Sequence, residues 1–230
     1  MENKSEPNKK EFATLIPLRG GSKGIPRKNL ILIKGKPLFW YVTDASIEAG
    51  VKTFISTEDQ EIKGIANNMF STINVIDRPL VLSQDTSSTE DVIEHFLDTI
   101  KFPKHIILLQ ATSPLTRAIN LEEAITEYLS NNCKPLVSVV HEHSFFWDKE
   151  GHAINYDPLD RPRRQDWGGV YKENGAIYIF SREHFKEFRC RAAEKCILYK
   201  MHNNTTFEID ELEDLKIITK LIEDGENTKE

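Results

Sequence analysis

Cysteine is scarce in this sequence, and long apolar runs are missing. The 230 residues include three cysteines, none of which forms a CxxC pair with another. This scarcity argues against a disulfide framework and against a zinc ribbon. No stretch approaches the ~20 apolar residues of a membrane span, and positions 1–11 lack the apolar centre of a secretory signal. We therefore expect a cytoplasmic protein with reduced thiols.

An excess of positive charge is absent as well. Lys and Arg number 30 against 36 Asp and Glu, which gives a net charge of −6. This balance argues against a general binder of nucleic acid or of anionic membranes. Hydrophobic residues at 39% and charged residues at 29% fit an ordinary globular protein with a sizeable core. At about 150 residues per domain, the length predicts one large domain with an elaboration.

Short apolar stretches alternate with amphipathic segments along most of the chain. The apolar stretches predict buried strands over Phe12–Leu18, Thr53–Ser56, Thr72–Ile76, His105–Leu109, Leu136–Val140, Gly175–Phe180 and Ile197–Met201. Helical periodicity predicts helices over Pro37–Ala49, Asp59–Met69, Thr89–Ile100, Leu121–Leu129, Arg182–Phe188 and Leu212–Ile222. The alternation predicts an α/β, Rossmann-like fold, with a mostly parallel central sheet and helices on both faces. Ligands of such folds bind at the carboxyl ends of the strands.

The alternation stops after Val140. Residues 141–171 are rich in aromatic residues, prolines and charges, and they have no clear helical period. Because so aromatic a surface is unfavourable when bare, we interpret 141–171 as a small inserted subdomain for dimerisation and substrate binding. Residues 12–140 and 172–224 then form the α/β domain, and residues 1–11 form a disordered tail.

The most informative stretch follows the first predicted strand and reads LRGGSKGIPRKN over positions 18–29. Between positions 12 and 43 there is no acid, and the cations are Arg19, Lys23, Arg27, Lys28, Lys34 and Lys36. Glycines allow backbone N–H groups to approach phosphate oxygens closely, while Lys and Arg neutralise their charge. The spacing matches neither GxxxxGK[ST] nor GxGxxG. We therefore predict a polyphosphate site of another type; the alternative is a solvated basic turn.

Five ordered motifs resemble those of the acylneuraminate cytidylyltransferases, or CMP-sialic acid synthetases. They are 16–30, Arg78-Pro79 with 82–86, 108–115, Arg164-Gln165 and 174–179, so the resemblance spans about positions 14–222. It implies transfer of CMP from CTP to the anomeric hydroxyl of a nonulosonic acid, with release of pyrophosphate and with Mg²⁺ as cofactor. Such chemistry needs positioning and charge neutralisation. A Kdo or other sugar cytidylyltransferase and a catalytically silent nucleotide-binding module are the alternatives.

The resemblance also implies a role for each residue that matches a motif. The nucleotide-binding set is Arg19, Gly20, Ser22, Lys23, Lys28, Asn29, Arg78 and Ser83, with Arg78 reaching towards the base. The catalytic set is Arg19, Lys23, Lys28 and Asp210. Ser88 and Asp91 have the spacing of a capping box, so we interpret Ser88 as structural.

The acceptor side is assigned in the same way. Gln110 faces the sugar, Arg164 pairs with its carboxylate, Lys149 lies near that carboxylate, and Tyr178 lines the sugar pocket. Alternatively, Tyr178 is only an aromatic on a strand face, and Arg164 is one of several solvated rim charges. Arg191-Ala192 stands where relatives acting on N-acetylneuraminate can carry an aromatic pair for the acetyl methyl, which favours a related acid such as legionaminic or pseudaminic acid. Lys23-Gly24-Ile25 resembles the sialic and legionaminic enzymes more than the pseudaminic ones.

Near the C-terminus, Glu208 and Asp210 fall on the same side of an extended segment. Carboxylate oxygens suit Mg²⁺, so this pair is the predicted metal site, with Asp210 as the firmer ligand. The usual family motif has two aspartates here. The resemblance further implies a homodimer in which Arg164 reaches the neighbouring subunit's site.

Overall fold

The computed structural model describes residues 8–22 and 24–227 of the chain. The main sheet consists of β1 (Phe12–Pro17), β4 (Lys52–Thr57), β5 (Asn74–Asp77), β6 (His105–Leu109), β7 (Leu136–Glu142), β8 (Val170–Ser181) and β9 (Ile197–Lys200), and β2 (Leu32–Ile33) and β3 (Lys36–Pro37) form a separate hairpin. The order in the main sheet is β5-β4-β1-β6-β8-β7-β9. Neighbours pair in parallel from β5 to β6 and between β7 and β9, whereas β8 is antiparallel to β6 and β7.

Helices cover both faces of this sheet. They are α1 (Leu38–Glu48), α2 (Gln60–Met69), α3 (Thr89–Thr99), α4 (Ala118–Ser130), α5 (Arg182–Phe188) and α6 (Leu212–Asn227). One apolar layer packs α1, α2 and α4 against the sheet, and a second layer packs α3 and α5 against the other face. The prediction of a Rossmann-like α/β fold with a mostly parallel sheet is therefore confirmed.

Polar side chains fix where several helices begin. Asp59 caps α2 by accepting hydrogen bonds from the N–H groups of Glu61 and Ile62. Ser88 and Asp91 form the capping box at the start of α3, as their spacing predicted. Since α2 follows β4 and α3 follows β5, these caps also fix the loops at the carboxyl ends of two parallel strands.

Strand β8 differs most from its prediction. It begins at Val170 instead of Gly175, because its first half is largely exposed and carries no apolar signal. It also contains an irregularity, since Val137 pairs with Tyr178 while Val139 pairs with Glu173. Periodicity does not specify strand direction, which explains why the antiparallel course of β8 was not foreseen.

The predicted bounds of the N-terminal tail and of the insertion also differ from the structure. Residues 1–7 of the predicted tail lie outside the described residues, but Lys9–Glu11 form a turn of 3-10 helix, and Lys9 Nζ lies 3.2 Å from Glu122 Oε1. The tail was therefore predicted too long. Strands β7 and β8 extend into the predicted insertion and leave residues 143–169 as an arm beyond the sheet. Within the described residues, no helix is both long and apolar enough to span a membrane.

Candidate nucleotide-binding site

A cavity of about 350 Å³ opens where β1, β5 and β6 end. Because these strands are parallel, the loops that follow them meet at one edge of the sheet. The predicted site residues that line the cavity are Arg19, Ser22, Lys28, Asn29, Arg78, Ser83 and Gln110. Three segments far apart in sequence thus contribute to one concave surface, as the sheet topology requires.

The loop of residues 18–29, which we call the phosphate loop, is held by its own side chains and by α2. Asn29 Nδ2 donates a hydrogen bond of 2.9 Å to the Arg19 carbonyl oxygen, which ties the two ends of the loop together. Arg27 adopts a left-handed conformation, with φ of 55°, and pairs with Asp59 and with Glu61. A Cβ atom on Gly20 would collide with the Asp59 carboxylate. Glycine at position 20 therefore permits the close approach of loop and helix.

Glu58, directly after β4, lies behind this loop and accepts three hydrogen bonds. Its Oε1 atom lies 2.7 Å from the Gly20 nitrogen, and its Oε2 atom lies 2.8 Å from both Arg78 Nη2 and Ser83 Oγ. Burial raises the pKa of Glu58, but the hydrogen bonds from Arg78, Gly20 and Ser83 outweigh it and hold this pKa below its ordinary value. Glu58 is therefore an ionised, nearly buried acceptor beneath the cavity.

The cations that line the cavity are paired with acids. Arg19 Nη1 lies 2.9 Å from Asp85 Oδ1, in an ion pair that is partly exposed. Lys28 Nζ donates to Asp210 Oδ1 and to the Ile209 carbonyl oxygen, both at 2.9 Å. The Lys28 contacts join positions 181 and 182 residues apart in sequence. The phosphate loop and the predicted metal segment therefore belong to the same site.

The segment with Glu208 and Asp210 runs beside the end of β6. The Ile209 N–H donates a hydrogen bond of 2.9 Å to the Thr112 carbonyl oxygen, and the Ile209 side chain is buried. Glu208 lies so close to Gly175 that any Cβ there would collide with its carboxylate, and Gly175 has φ of 65°. Burial, and then the charge of Asp210, raise the pKa of Glu208. The charge of Asp210 thus disfavours the ionisation of Glu208.

This donor set fits a hard divalent cation. Two carboxylates that repel each other, one of them half-buried, would both be stabilised by a shared cation. No group of three or more His, Cys, Asp or Glu side chains suited to a metal occurs among residues 8–22 and 24–227. A metal at Glu208 and Asp210 would therefore need further oxygen ligands from a nucleotide or water.

The predicted acceptor residues separate in this structure. Gln110, which directly follows β6, lines the cavity with the nucleotide residues. Lys149 and Arg164 are exposed on the arm and do not line it. Tyr178 is buried in the layer with α3 and α5, where Arg191 covers its ring at 4.7 Å and Glu173 accepts its hydroxyl hydrogen bond at 3.0 Å. Burial is the main cause that raises the pKa of Tyr178 to about 12.

Two other predicted residues have particular positions. Lys23, assigned to the triphosphate and to catalysis, lies outside the described residues. The Gly20 N–H, assigned to the nucleotide, donates to Glu58, so this N–H is already engaged. The roles of both residues stay predictions.

Sequence reasoning missed the acids that hold the cations. Glu58 and Asp59 follow a predicted strand after one intervening residue, and Asp59 is the first residue of a predicted helix, where a capping acid is expected. Asp85 lies within a recognised motif but received no role. The prediction of the phosphate loop rested on cations alone, although cations held in a fixed geometry require nearby acceptors. A carboxylate at the end of a neighbouring strand is the sequence signal that indicates Glu58.

Asn174 is a further residue that was quoted in a motif without a role. It is buried at the irregularity of β8, where Ser138 Oγ donates to its Oδ1 at 2.6 Å and its Nδ2 donates to Thr205 Oγ1 at 2.9 Å. These bonds fix the bend that brings Gly175 against Glu208. Asn174 therefore helps to hold Gly175 in its position against Glu208 of the predicted metal segment.

Comparison with known proteins identifies the family. The family model described as Cytidylyltransferase matches residues 13–229. The chain belongs to the cytidylyltransferase family. It is 35% identical over 188 residues to an N-acylneuraminate cytidylyltransferase of Oncorhynchus mykiss, which covers 78% of this chain and 43% of that relative. It is 31% identical over 210 residues to the N-acylneuraminate cytidylyltransferase of Streptococcus agalactiae serotype V, with 87% and 50% covered.

Other cytidylyltransferases match along nearly their whole length. A pseudaminic acid cytidylyltransferase of Campylobacter jejuni is 26% identical over 214 residues, covering 88% of this chain and 92% of that relative. A CMP:2-keto-3-deoxy-manno-octonic acid synthetase complexed with CTP superimposes with a TM-score of 0.69 at 17% identity, covering 94% of this chain and 99% of that one. The structural likeness establishes a shared fold. The chain spans about half the length of the N-acylneuraminate relatives named above.

Proposed function

We propose that this chain transfers CMP from CTP to the anomeric hydroxyl of a nonulosonic acid and releases pyrophosphate. The observation that carries the proposal is the contact of Lys28 with Asp210, which joins the basic phosphate loop to the acidic segment. Lys28 lines the cavity, whereas Glu208 and Asp210 lie beside it and do not line it themselves. A triphosphate needs the cations of the phosphate loop, and a divalent cation needs the carboxylates of the acidic segment. A module that only binds nucleotides has no need for the carboxylate pair, so this contact favours an enzyme.

The proposed reaction is a displacement at phosphorus. The anomeric oxygen of the acceptor attacks the α-phosphorus of CTP, the bond from that phosphorus to the bridging oxygen breaks, and the electron pair leaves with pyrophosphate. The hydroxyl proton passes to solvent. Arg19 and Lys28 lie where they would neutralise the charge that grows on the leaving group. Lys23 is assigned to the same task by resemblance.

Glu208 and Asp210 are the proposed ligands of Mg²⁺. When bound, the cation supplies charge neutralisation on the phosphates and lowers the pKa of the attacking hydroxyl. Asp210 also pairs with Lys28, so the proposed metal ligand and the phosphate loop are in direct contact. Lys28 lines the cavity and would contact a phosphate oxygen of the nucleotide.

The arm is the proposed site of dimerisation. Phe145 packs against Tyr156 and Trp167, with ring centroids 4.3 and 4.6 Å apart, so the arm has a small aromatic core of its own. Its outer surface exposes Phe146, Trp147, Ile154 and Leu159. A second copy of the chain would cover these apolar side chains. Lys149 and Arg164 lie on the same arm, so a dimer could bring them to a partner's cavity to hold the acceptor carboxylate.

The acceptor is proposed to be a sialic-type acid, and the legionaminic type is favoured by Arg191 at a position where relatives carry an aromatic residue. A cytoplasmic location belongs to the same proposal. The test is pyrophosphate release from CTP and Mg²⁺ with N-acetylneuraminic, legionaminic, pseudaminic and Kdo acids, and then with UTP, ATP or GTP in place of CTP. We expect release only with CTP and a nonulosonic acid. Release with Kdo alone would support a Kdo cytidylyltransferase. No release with any acid would support a catalytically silent nucleotide-binding module.

A further inference from the structure

Glu58 occupies a place behind the cavity that no assigned role explains. Its side chain is 11% exposed, and it does not itself line the cavity. The three groups that donate to it belong to the loops after β1 and β5, namely the Gly20 N–H, the Arg78 guanidinium and the Ser83 hydroxyl. Arg78 and Ser83 line the cavity. Glu58, which follows β4, therefore links the loop after β1 to the loop after β5.

The geometry points to Glu58 as the positioning residue that fixes Arg78 and the phosphate loop for the nucleotide, an inference that rests on the proposed function. Arg78 shows how this works. Its Nε atom donates to Ser83 Oγ at 3.0 Å, and its Nη2 atom donates to the Leu18 carbonyl oxygen and to Glu58. Within the described part of the chain no hydrogen bond of Nη1 is found, so this nitrogen remains for a ligand at the cavity.

The chemistry of the three contacts requires a carboxylate. All three neighbours present hydrogens, and an ionised carboxylate is the side chain that only accepts. A glutamine would turn its NH₂ group towards at least one donor, either the Gly20 N–H or the Arg78 guanidinium. A buried donor without an acceptor is strongly unfavourable, so the loop or Arg78 would move away. Either movement changes the wall of the cavity.

Arg78 also needs Glu58 for electrostatic reasons. The Arg78 side chain is 4% exposed, and no second carboxylate contacts it among the described residues. A buried guanidinium without a counter-ion is unfavourable, and it would draw a different anion or leave its position. In the native site Glu58 neutralises Arg78 from behind, and the guanidinium keeps its direction whether the cavity is empty or full. This preorganisation lowers the cost of binding the nucleotide.

The test compares Glu58→Gln and Glu58→Asp with Glu122→Gln in the full chain. Glu122 pairs with Lys9 at the opposite edge of the sheet, so its substitution removes a Glu without touching the cavity. CTP binding with Mg²⁺ is measured by calorimetry, kcat and KM are measured for CTP and for the acceptor acid, and thermal denaturation reports the fold. Ser83→Ala is a milder variant that removes a single donor to Glu58.

We expect Glu58→Gln to weaken CTP binding roughly 10- to 100-fold, the size expected for charge-assisted hydrogen bonds, with an unchanged KM for the acceptor acid. Glu58→Asp should recover part of the affinity, Ser83→Ala should lose less than Glu58→Gln, and Glu122→Gln should match the unchanged chain.

A folded Glu58→Gln protein with full CTP affinity would overturn the inference. Equal losses for both substrates would overturn it too, because they indicate a general structural role. If Glu58→Gln does not fold, Glu58→Asp and Ser83→Ala decide in the same way. An unchanged chain that fails to bind CTP refutes the proposed function instead.

Discussion

The phosphate loop and the arm carry cations in opposite ways. In the loop and beside it, Arg27, Lys28 and Arg78 are each held by a carboxylate from a distant part of the chain. On the arm, Lys149 and Arg164 are exposed, and no ion pair of either is found in the part of the chain that the structure describes. One region has its charges fixed before any ligand arrives. On the arm, Arg163 pairs with Asp166 and Arg161 lies over aromatic rings, so the contrast with the loop concerns Lys149 and Arg164.

This difference divides the site by substrate. The proposed nucleotide half is built from loops after parallel strands, whose positions the sheet determines, and its described residues line one cavity of a single chain. The acceptor half depends on an arm that extends beyond the sheet and exposes apolar side chains. The proposal is therefore that a single chain binds the nucleotide and that a second copy contributes to binding of the acceptor carboxylate.

Asp210→Ala should give the largest effect on this comparison, because it removes the firmer of the two proposed metal ligands and leaves Lys28 without its carboxylate partner. We expect turnover to fall by roughly 100-fold or more, as for other groups that stabilise charge at a reacting phosphate. Pyrophosphate release from CTP and the acceptor measures the effect. The side chain of Asp210 is largely exposed, so circular dichroism should show an unchanged fold. Undiminished pyrophosphate release would refute the metal assignment.

Arg164→Ala should affect only the acceptor half. An exposed guanidinium that pairs with a carboxylate contributes to the binding of that substrate, so we expect the KM of the acid to rise about 10-fold or more with little change for CTP. The two KM values are measured from initial rates with each substrate varied separately. Arg163→Ala on the same arm is the matched control. If the KM for CTP rises instead, the division by substrate is incorrect.

Leu159→Glu tests whether the arm is covered. Leu159 is 98% exposed in the single chain, so a charge there has no consequence unless another surface packs on it. We expect the dimer to weaken about 10-fold or more, as for a charge placed in an apolar interface, while CTP binding persists. Sedimentation velocity over a concentration series reports the association. A chain that is monomeric before substitution would contradict the proposed interface.

The pH dependence of stability should give the smallest effect, and it concerns Glu58. Its pKa is lower in the folded protein than its ordinary value of 4.5. The stabilisation from ionised Glu58 is therefore complete above that pH and is lost as the pH falls through the lower, folded pKa. We expect the free energy of unfolding of the unchanged chain and of Glu58→Gln to converge as the pH falls below 4.5. Urea denaturation at a series of pH values measures this. A constant difference down to strongly acidic pH would contradict the ionised assignment.

Most elements of the fold could be predicted from the sequence, because buried strands and amphipathic helices have distinct periods. Strand β6 and helix α5 begin and end where the periodicity placed them. The first half of β8 could not be predicted, since its side chains are exposed and its direction depends on pairing with distant strands. The hairpin of β2 and β3 was missed because each strand has only two residues.

The candidate site could be predicted where the type of a residue itself indicates the ligand that it binds. Cations beside glycines indicate phosphate, and alternating carboxylates indicate a metal. Glu58 could not be assigned in that way, because its role depends on which donors the fold brings to it. Tyr178 shows the opposite limit, since an aromatic residue in a strand is equally suited to a pocket and to the core, and here it lies in the core.

Subunit complementation tests the division of the site most directly. Asp210→Ala and Arg164→Ala chains are mixed, dissociated and reassociated, and pyrophosphate release is compared with that of each variant alone. If the nucleotide half comes from one chain and Arg164 comes from its partner, each hybrid dimer contains one site with both residues intact. A twofold dimer then regains up to about one quarter of the unsubstituted activity. No gain over the two separate variants would contradict a site shared between chains.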